Sequence, residues 1–112
     1  MSYANKKDYC DYDTCVALEE LGFPIRGIKV KGEEKHVPIL LYEAQKFLKE
    51  ENGIIVDVRY GGIYYNVVLA DRITGGRVII KDKDNRIADF ERYELALNEG
   101  IKETIRLLKE EK

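Results

Sequence analysis

Hydrophobic and polar positions alternate most sharply between Gly53 and Ile80. Two strand-like runs flank Gly61-Gly62, a pair suited to the positive φ values of a two-residue type I′ or II′ turn. With those glycines as the loop, Tyr60 faces Ile63, Val58 faces Tyr65, Val56 faces Val67 and Ile54 faces Leu69. One side of the hairpin is then wholly apolar or aromatic. The other side carries Arg59 with Tyr64, Asp57 with Asn66 and Ile55 with Val68. A one-residue slip would put Asp57, Arg59 and Asn66 into the core, and the desolvation cost weighs against it. A third strand follows at Arg77-Val78-Ile79-Ile80-Lys81. A two-residue turn at Gly75-Gly76 would set Asp71 on the core side opposite Ile80, so the pattern predicts a longer loop or a bulge there.

Helical spacing brackets the strands. After Pro38, the positions Leu40, Leu41, Ala44, Phe47 and Leu48 form the stripe of an amphipathic helix closed by Asn52 and Gly53. At the far end, Tyr93, Ala96, Leu97, Gly100, Ile101, Ile105 and Leu108 predict a long helix starting at Asp89 or Phe90, with Lys109 to Lys112 as a charged end. Gly100 inside it costs about 1 kcal/mol relative to Ala, which close packing against the sheet would explain. A shorter helix is expected from an N-cap at Asp13 or Thr14 to Leu21. Gly22 fits its C′ position, and Phe23 at C″ can touch Leu18 in a Schellman arrangement. Between these elements, Ile28 and Val30 alternate with Lys29 and Lys31 as a short edge strand, and Gly32-Glu33-Glu34-Lys35 reads as an exposed turn.

The expected fold is therefore α+β: a three-stranded antiparallel meander covered on one face by helices, in the order α-β-β-β-α, with an extra N-terminal helix. Residues 1–12 read as a polar arm and residues 13–112 as a single domain. The 112 residues are enough to bury about two thirds of the unfolded surface. Charged residues are 36% and hydrophobic ones 45% of the chain, which excludes disorder for the bulk of it. The 19 basic and 21 acidic residues are interspersed and leave a net charge of −2, so no long-range field draws in a polyanion or an anionic membrane. No apolar run approaches the ~20 residues of a membrane span. A cytoplasmic protein is expected, with Cys10 and Cys15 as reduced thiols.

Candidate chemistry is sparse. Cys10, Cys15 and His36 are too few for a tetrahedral thiolate metal site, and one histidine makes a weak Cys-His nucleophile pair. Asp82-Lys83-Asp84-Asn85 begins like a calcium loop, but Ile87 stands where the turn glycine belongs and Tyr93 where the bidentate Glu belongs, so a turn is expected. Asp11 and Asp13 could share a cation, although helix capping explains Asp13 more simply. No cofactor, metal or catalytic residue is assigned. The eight tyrosines are the one compositional oddity. Tyrosine suits interfaces. Tyr60, Tyr65 and Tyr93 are expected in the core and Tyr64 outside it, so the candidate binding face is Asp57, Arg59, Tyr64 and Asn66.

Ala17-Leu18-Glu19-Glu20-Leu21-Gly22-Phe23, Tyr42-Glu43-Ala44-Gln45-Lys46-Phe47-Leu48 and Tyr93-Glu94-Leu95-Ala96-Leu97-Asn98-Glu99-Gly100-Ile101 resemble the phrases of a family of small proteins of Bacteroidales genomes and their phage-like and mobile elements. That family has no assigned activity, so the resemblance implies a setting and no chemistry. The α-β-β-β-α order is also similar to the double-stranded-RNA-binding fold. There the last helix begins with lysines; here it begins Phe90-Glu91-Arg92-Tyr93-Glu94, without the phosphate-binding motif. The resulting expectation is a non-enzymatic accessory protein that works by protein-protein contact and self-associates as a homodimer through the Gly53 to Tyr60 edge. The alternative is a nucleic-acid-binding module.

Overall fold

The computed structural model describes residues 8–24, 28–30, 33–35 and 38–110, the two short strands through their backbone alone. In chain order the elements are α1 (Tyr12–Glu20), β1 (Ile28–Val30), β2 (Glu33–Lys35), α2 (Leu41–Asn52), β3 (Ile54–Tyr60), β4 (Tyr65–Asp71), β5 (Arg77–Ile79) and α3 (Tyr93–Glu110). The main sheet is an antiparallel meander of order β3-β4-β5. It is an α+β fold with the expected α-β-β-β-α order, preceded by α1 and a separate β1-β2 pair. Residues 1–7 of the expected arm, and His36, lie outside the described residues.

The helices begin and end where their caps allow. Asp11, rather than Asp13 or Thr14, caps α1: its carboxylate accepts the Thr14 N–H at 2.8 Å. The other end is the expected Schellman arrangement, with Phe23 N–H donating to the Leu18 carbonyl and Gly22 N–H to that of Glu19, each at 3.0 Å. Gly22 takes φ +110°, open to glycine at no steric cost. In α2 the Leu40 N–H donates to Glu43 Oε1 at 3.1 Å, and Gly53 closes the helix in the left-handed region at φ 72°. The last helix starts at Tyr93 rather than at Asp89 or Phe90, because Phe90 exchanges two backbone hydrogen bonds of 2.8 Å with Tyr65 and so continues the sheet. Glu33, Glu34 and Lys35, expected in a turn, pair as β2 with Ile28 to Val30.

Within the hairpin the facing is as expected and the register is not. Tyr60 pairs with Tyr65, Val58 with Val67, Val56 with Leu69 and Ile54 with Asp71, two residues away from the predicted partners. Side chains alternate with period two, so this shift changes every partner and no face. The loop runs from Gly61 to Tyr64 and is closed by Gly61 N–H to the Tyr64 carbonyl at 2.8 Å. Gly62 alone has positive φ there, which a type I′ turn does not permit. The wider loop also brings the Tyr60 and Tyr65 rings into a tilted contact at 5.0 Å. Ile63, assigned to the core face, is a loop residue 78% exposed. Tyr60 and Tyr93, also assigned to the core, are largely exposed and flank half-buried Tyr65.

The β4-β5 connection is long, as the position of Asp71 requires. Ala70 pairs with Arg77, and the Asp71 carboxylate accepts N–H bonds from Ile73 and Thr74. Asp82 likewise accepts from Asp84 and Arg86, with Asn85 at φ 62°, and the segment is a turn.

The core lies between the sheet and the helices. Val56, Val67 and Leu69 meet Ala44 and Leu48 of α2 and Leu97, Ile101 and Ile105 of α3, with Leu18 and Phe23 closing one side. An ideal Cβ on Gly100 would lie 2.5 Å from Val56 Cγ1 and 2.8 Å from Val67 Cγ2, so the bare glycine sets how closely α3 approaches β3 and β4.

The α1 cap makes stability depend on pH. Hydrogen bonds from Thr14, aided by Lys102 at 3.1 Å, hold the Asp11 carboxyl below its ordinary value of 3.8. A depressed folded pKa contributes stability that is full above the unfolded value and is lost as pH falls through the folded one. Asp11→Ala should cost about 1 kcal/mol near neutral pH. In urea melts taken at falling pH from about 7, the gap between Asp11→Asn and the parent should narrow below the ordinary carboxyl value of 3.8 as the parent carboxyl takes up its proton.

Candidate functional site

The main sheet has two edges and holds Val56, Val67 and Leu69 of the core on one face; its other face is more open, although Val68 is buried within it. On the open face Asp57 pairs with Val68 and Arg59 with Asn66, instead of the expected Asp57 with Asn66 and Arg59 with Tyr64. Ile55, Ala70 and Ile79 share that face by register. Arg59 Nε donates to Asp57 Oδ2 at 2.9 Å along the same strand, in an exposed ion pair. Such a pair stabilises by about 0.2–1 kcal/mol, so it orders the two side chains more than it holds the fold. Tyr64 lies at the end of the hairpin loop, 47% exposed. Its strand neighbours by register are Tyr65 and Asn66, and the structure therefore gathers Asp57, Arg59 and Asn66 on one face with Tyr64 at its rim.

The edge of β3 follows from the ladder. Gly53 accepts from Arg72 N–H and Gly61 donates to Tyr64, so the odd-numbered backbone groups of this strand point toward β4. Those of Ile54, Val56, Val58 and Tyr60 point away from it. The Val56 carbonyl is capped there by the side chain of Gln45 in α2, at 2.7 Å. Beyond Val56, the outward groups of Val58 and Tyr60 make no hydrogen bond with described residues. The Ile28 to Lys31 segment, expected as an edge strand, pairs instead with β2 in a separate sheet, and among the described residues no strand pairs with this edge.

Sequence reasoning missed the wall beside that edge. Tyr42, Gln45, Lys46 and Lys49 lie at i, i+3, i+4 and i+7 on the flank of α2, and with Ile55 and Val56 they line a cleft of about 340 Å³. The signal was present as a polar stripe adjoining the apolar one, but nothing in it states which strand it borders.

The cysteines offer little reactivity. Cys10 and Cys15 are free and buried, and Cys15 Sγ donates to the Cys10 carbonyl at 3.7 Å. Burial first, then the neighbouring Cys15, pushes the Cys10 thiol up to about 12, so it is protonated near neutral pH. Cys10 N–H donates to the Ile39 carbonyl at 2.8 Å, which ties the chain before α1 to the start of α2. Among the described residues no three His, Cys, Asp or Glu side chains are grouped to hold a metal ion, and no helix is long and apolar enough to cross a membrane.

A stretch of 54 residues, 46% of the chain, is 44% identical to the ribosomal RNA small subunit methyltransferase H of Karelsulcia muelleri (strain GWSS). It spans 18% of that protein's length. No protein-family model matches the chain. No solved structure matches it significantly.

Proposed function

We propose that this chain is a non-enzymatic accessory protein of the mobile-element kind that its sequence phrases resemble. It works in the cytosol by protein-protein contact, and its working surface is the β3 edge with Asp57 and Arg59 beside it. The observation that carries this reading is the terminal position of β3, a seven-residue strand with no proline and with outward backbone groups at Val58 and Tyr60. Such an edge is a template for another strand. In a second copy paired about a two-fold axis at Val58, Asp57 of one chain meets Arg59 of the other twice, as an isologous contact requires. Each arginine then bridges two carboxylates, and backbone pairing supplies most of the energy. Tyr64 and Asn66 border the same contact. Light scattering at tens of micromolar should give twice the 13.0 kDa chain mass, and Val58→Pro should return it to that of one chain. A parent mass of 13.0 kDa, or a dimer that survives Val58→Pro, would remove the interface.

The α-β-β-β-α order and the partial likeness to a ribosomal RNA methyltransferase favour a second reading, a nucleic-acid-binding module. Charge opposes it, since Glu91 and Glu94 flank Arg92 at the start of α3. A gel shift at low salt with double-stranded RNA should show no complex at micromolar protein; a salt-sensitive complex would establish this reading in place of the first.

A further inference from the structure

The cleft between α2 and the β3 edge has a chemistry of its own. Its wall is the stripe of Tyr42, Gln45, Lys46 and Lys49, and its floor is the edge at Ile55 and Val56. A chain with 21 acidic residues contributes none to this lining and contributes two lysines. Glu50, one turn on from Lys46 and 4.0 Å from it, shares that lysine's charge without lining the cleft, and Lys49 has no ion pair among the described residues. Both lysines are exposed, so their ammonium groups can reach a ligand in the cleft. Tyr42 is 63% exposed and adds an aromatic surface with a hydroxyl. Of the outward backbone groups of Val56, the carbonyl is held by a glutamine amide, a neutral donor that an incoming backbone N–H can replace without stranding a charge.

We propose that this cleft binds an extended acidic peptide segment of another protein, which adds to β3 as a further strand, displaces Gln45 from the Val56 carbonyl and sets its carboxylates against Lys46 and Lys49. The inference rests on the reading of β3 as an interaction edge and names a partner chemistry for it. Strand addition takes its affinity from main-chain hydrogen bonds and its selectivity from alternate side chains. Here the side chains of the added strand that lean toward α2 meet the lysines, and those on the open face meet Ile55. The preferred segment therefore alternates acidic with β-branched apolar residues. It occupies the same backbone groups as a second copy would, and the two compete.

The test uses the full chain labelled for amide detection and three fluorescent peptides: one alternating glutamate and valine, one alternating lysine and valine, and one alternating serine and valine. The acidic peptide should bind about tenfold more tightly than the serine one, the combined effect of two exposed ion pairs. It should shift the amide signals of Val56 and Val58, and the lysine peptide should bind more weakly than either. Lys46→Glu combined with Lys49→Glu, both at exposed positions, should reverse the order of the acidic and lysine peptides. Equal binding of all three, binding of none, or shifts confined to residues away from β3 and α2 would overturn the proposal. Mass by light scattering separates the two claims: a monomer that binds the acidic peptide loses the homodimer and keeps the cleft, while a dimer that ignores the peptide keeps the edge and loses the cleft.

Discussion

Val56→Asp should destabilise the protein by about 3–5 kcal/mol, whereas Asp57→Val, one residue along the same strand, should change stability by about 0.5 kcal/mol or less. The contrast comes from facing alone. Val56 is fully buried against α2 and α3, and a carboxylate there has neither water nor a cation to balance it. Asp57 stands on the open face, where its loss removes one exposed ion pair with Arg59 and its replacement suits a strand better. Denaturant melts of the two variants decide it: equal losses, or a larger loss at Asp57, would contradict the facing of β3.

Gly100→Ala should also destabilise, against the direction that helix propensity gives. In an isolated helix the change would add about 1 kcal/mol of stability. Here the new methyl would overlap Val56 and Val67, whose γ carbons stand 2.5 and 2.8 Å from its position. Both valines are fully buried in β-strands and have little room to turn, and overpacking of this kind costs about 1–3 kcal/mol. The net result should be a loss, partly restored in the Gly100→Ala, Val56→Ala double variant, which removes the nearer methyl. A double variant that loses the full sum of the two single effects would show that the contact is not the cause.

The facing of β3 and β4, the C-terminal cap of α1, the packing of Gly100 and the need for a long loop after Asp71 were all legible in the sequence. Each depends on a local rule: alternation with period two, glycine at a left-handed position, a missing side chain inside a helical stripe, a carboxylate kept out of the core. What was not legible depends on distant partners. Gly61-Gly62 satisfies the rule for a two-residue turn, yet a tilted contact of Tyr60 with Tyr65 and an edge-to-face contact of Tyr65 with Tyr93 accompany a wider loop, and no local pattern encodes a ring contact with a helix 28 residues on. Phe90 has the spacing of a helix residue and is drawn instead into two bonds with Tyr65. Asp57, Arg59 and Asn66 do share one face, but in pairs other than those expected, for the same reason of register. Gln45 and the lysines of α2 could not be placed beside β3 until the helix had been docked.

The most direct test of the β3 edge is amide hydrogen exchange at Val58 and Tyr60, followed as the protein concentration is raised. These N–H groups point away from β4 and have no hydrogen-bond partner among the described residues, so in a dilute monomer they should exchange faster than those of Asp57 and Arg59 on the same strand. If the edge pairs with a second copy, exchange at Val58 and Tyr60 should slow progressively as concentration rises through tens of micromolar, with that of Asp57 and Arg59 changing little. Exchange at Val58 and Tyr60 that is fast and independent of concentration would contradict self-association through this edge.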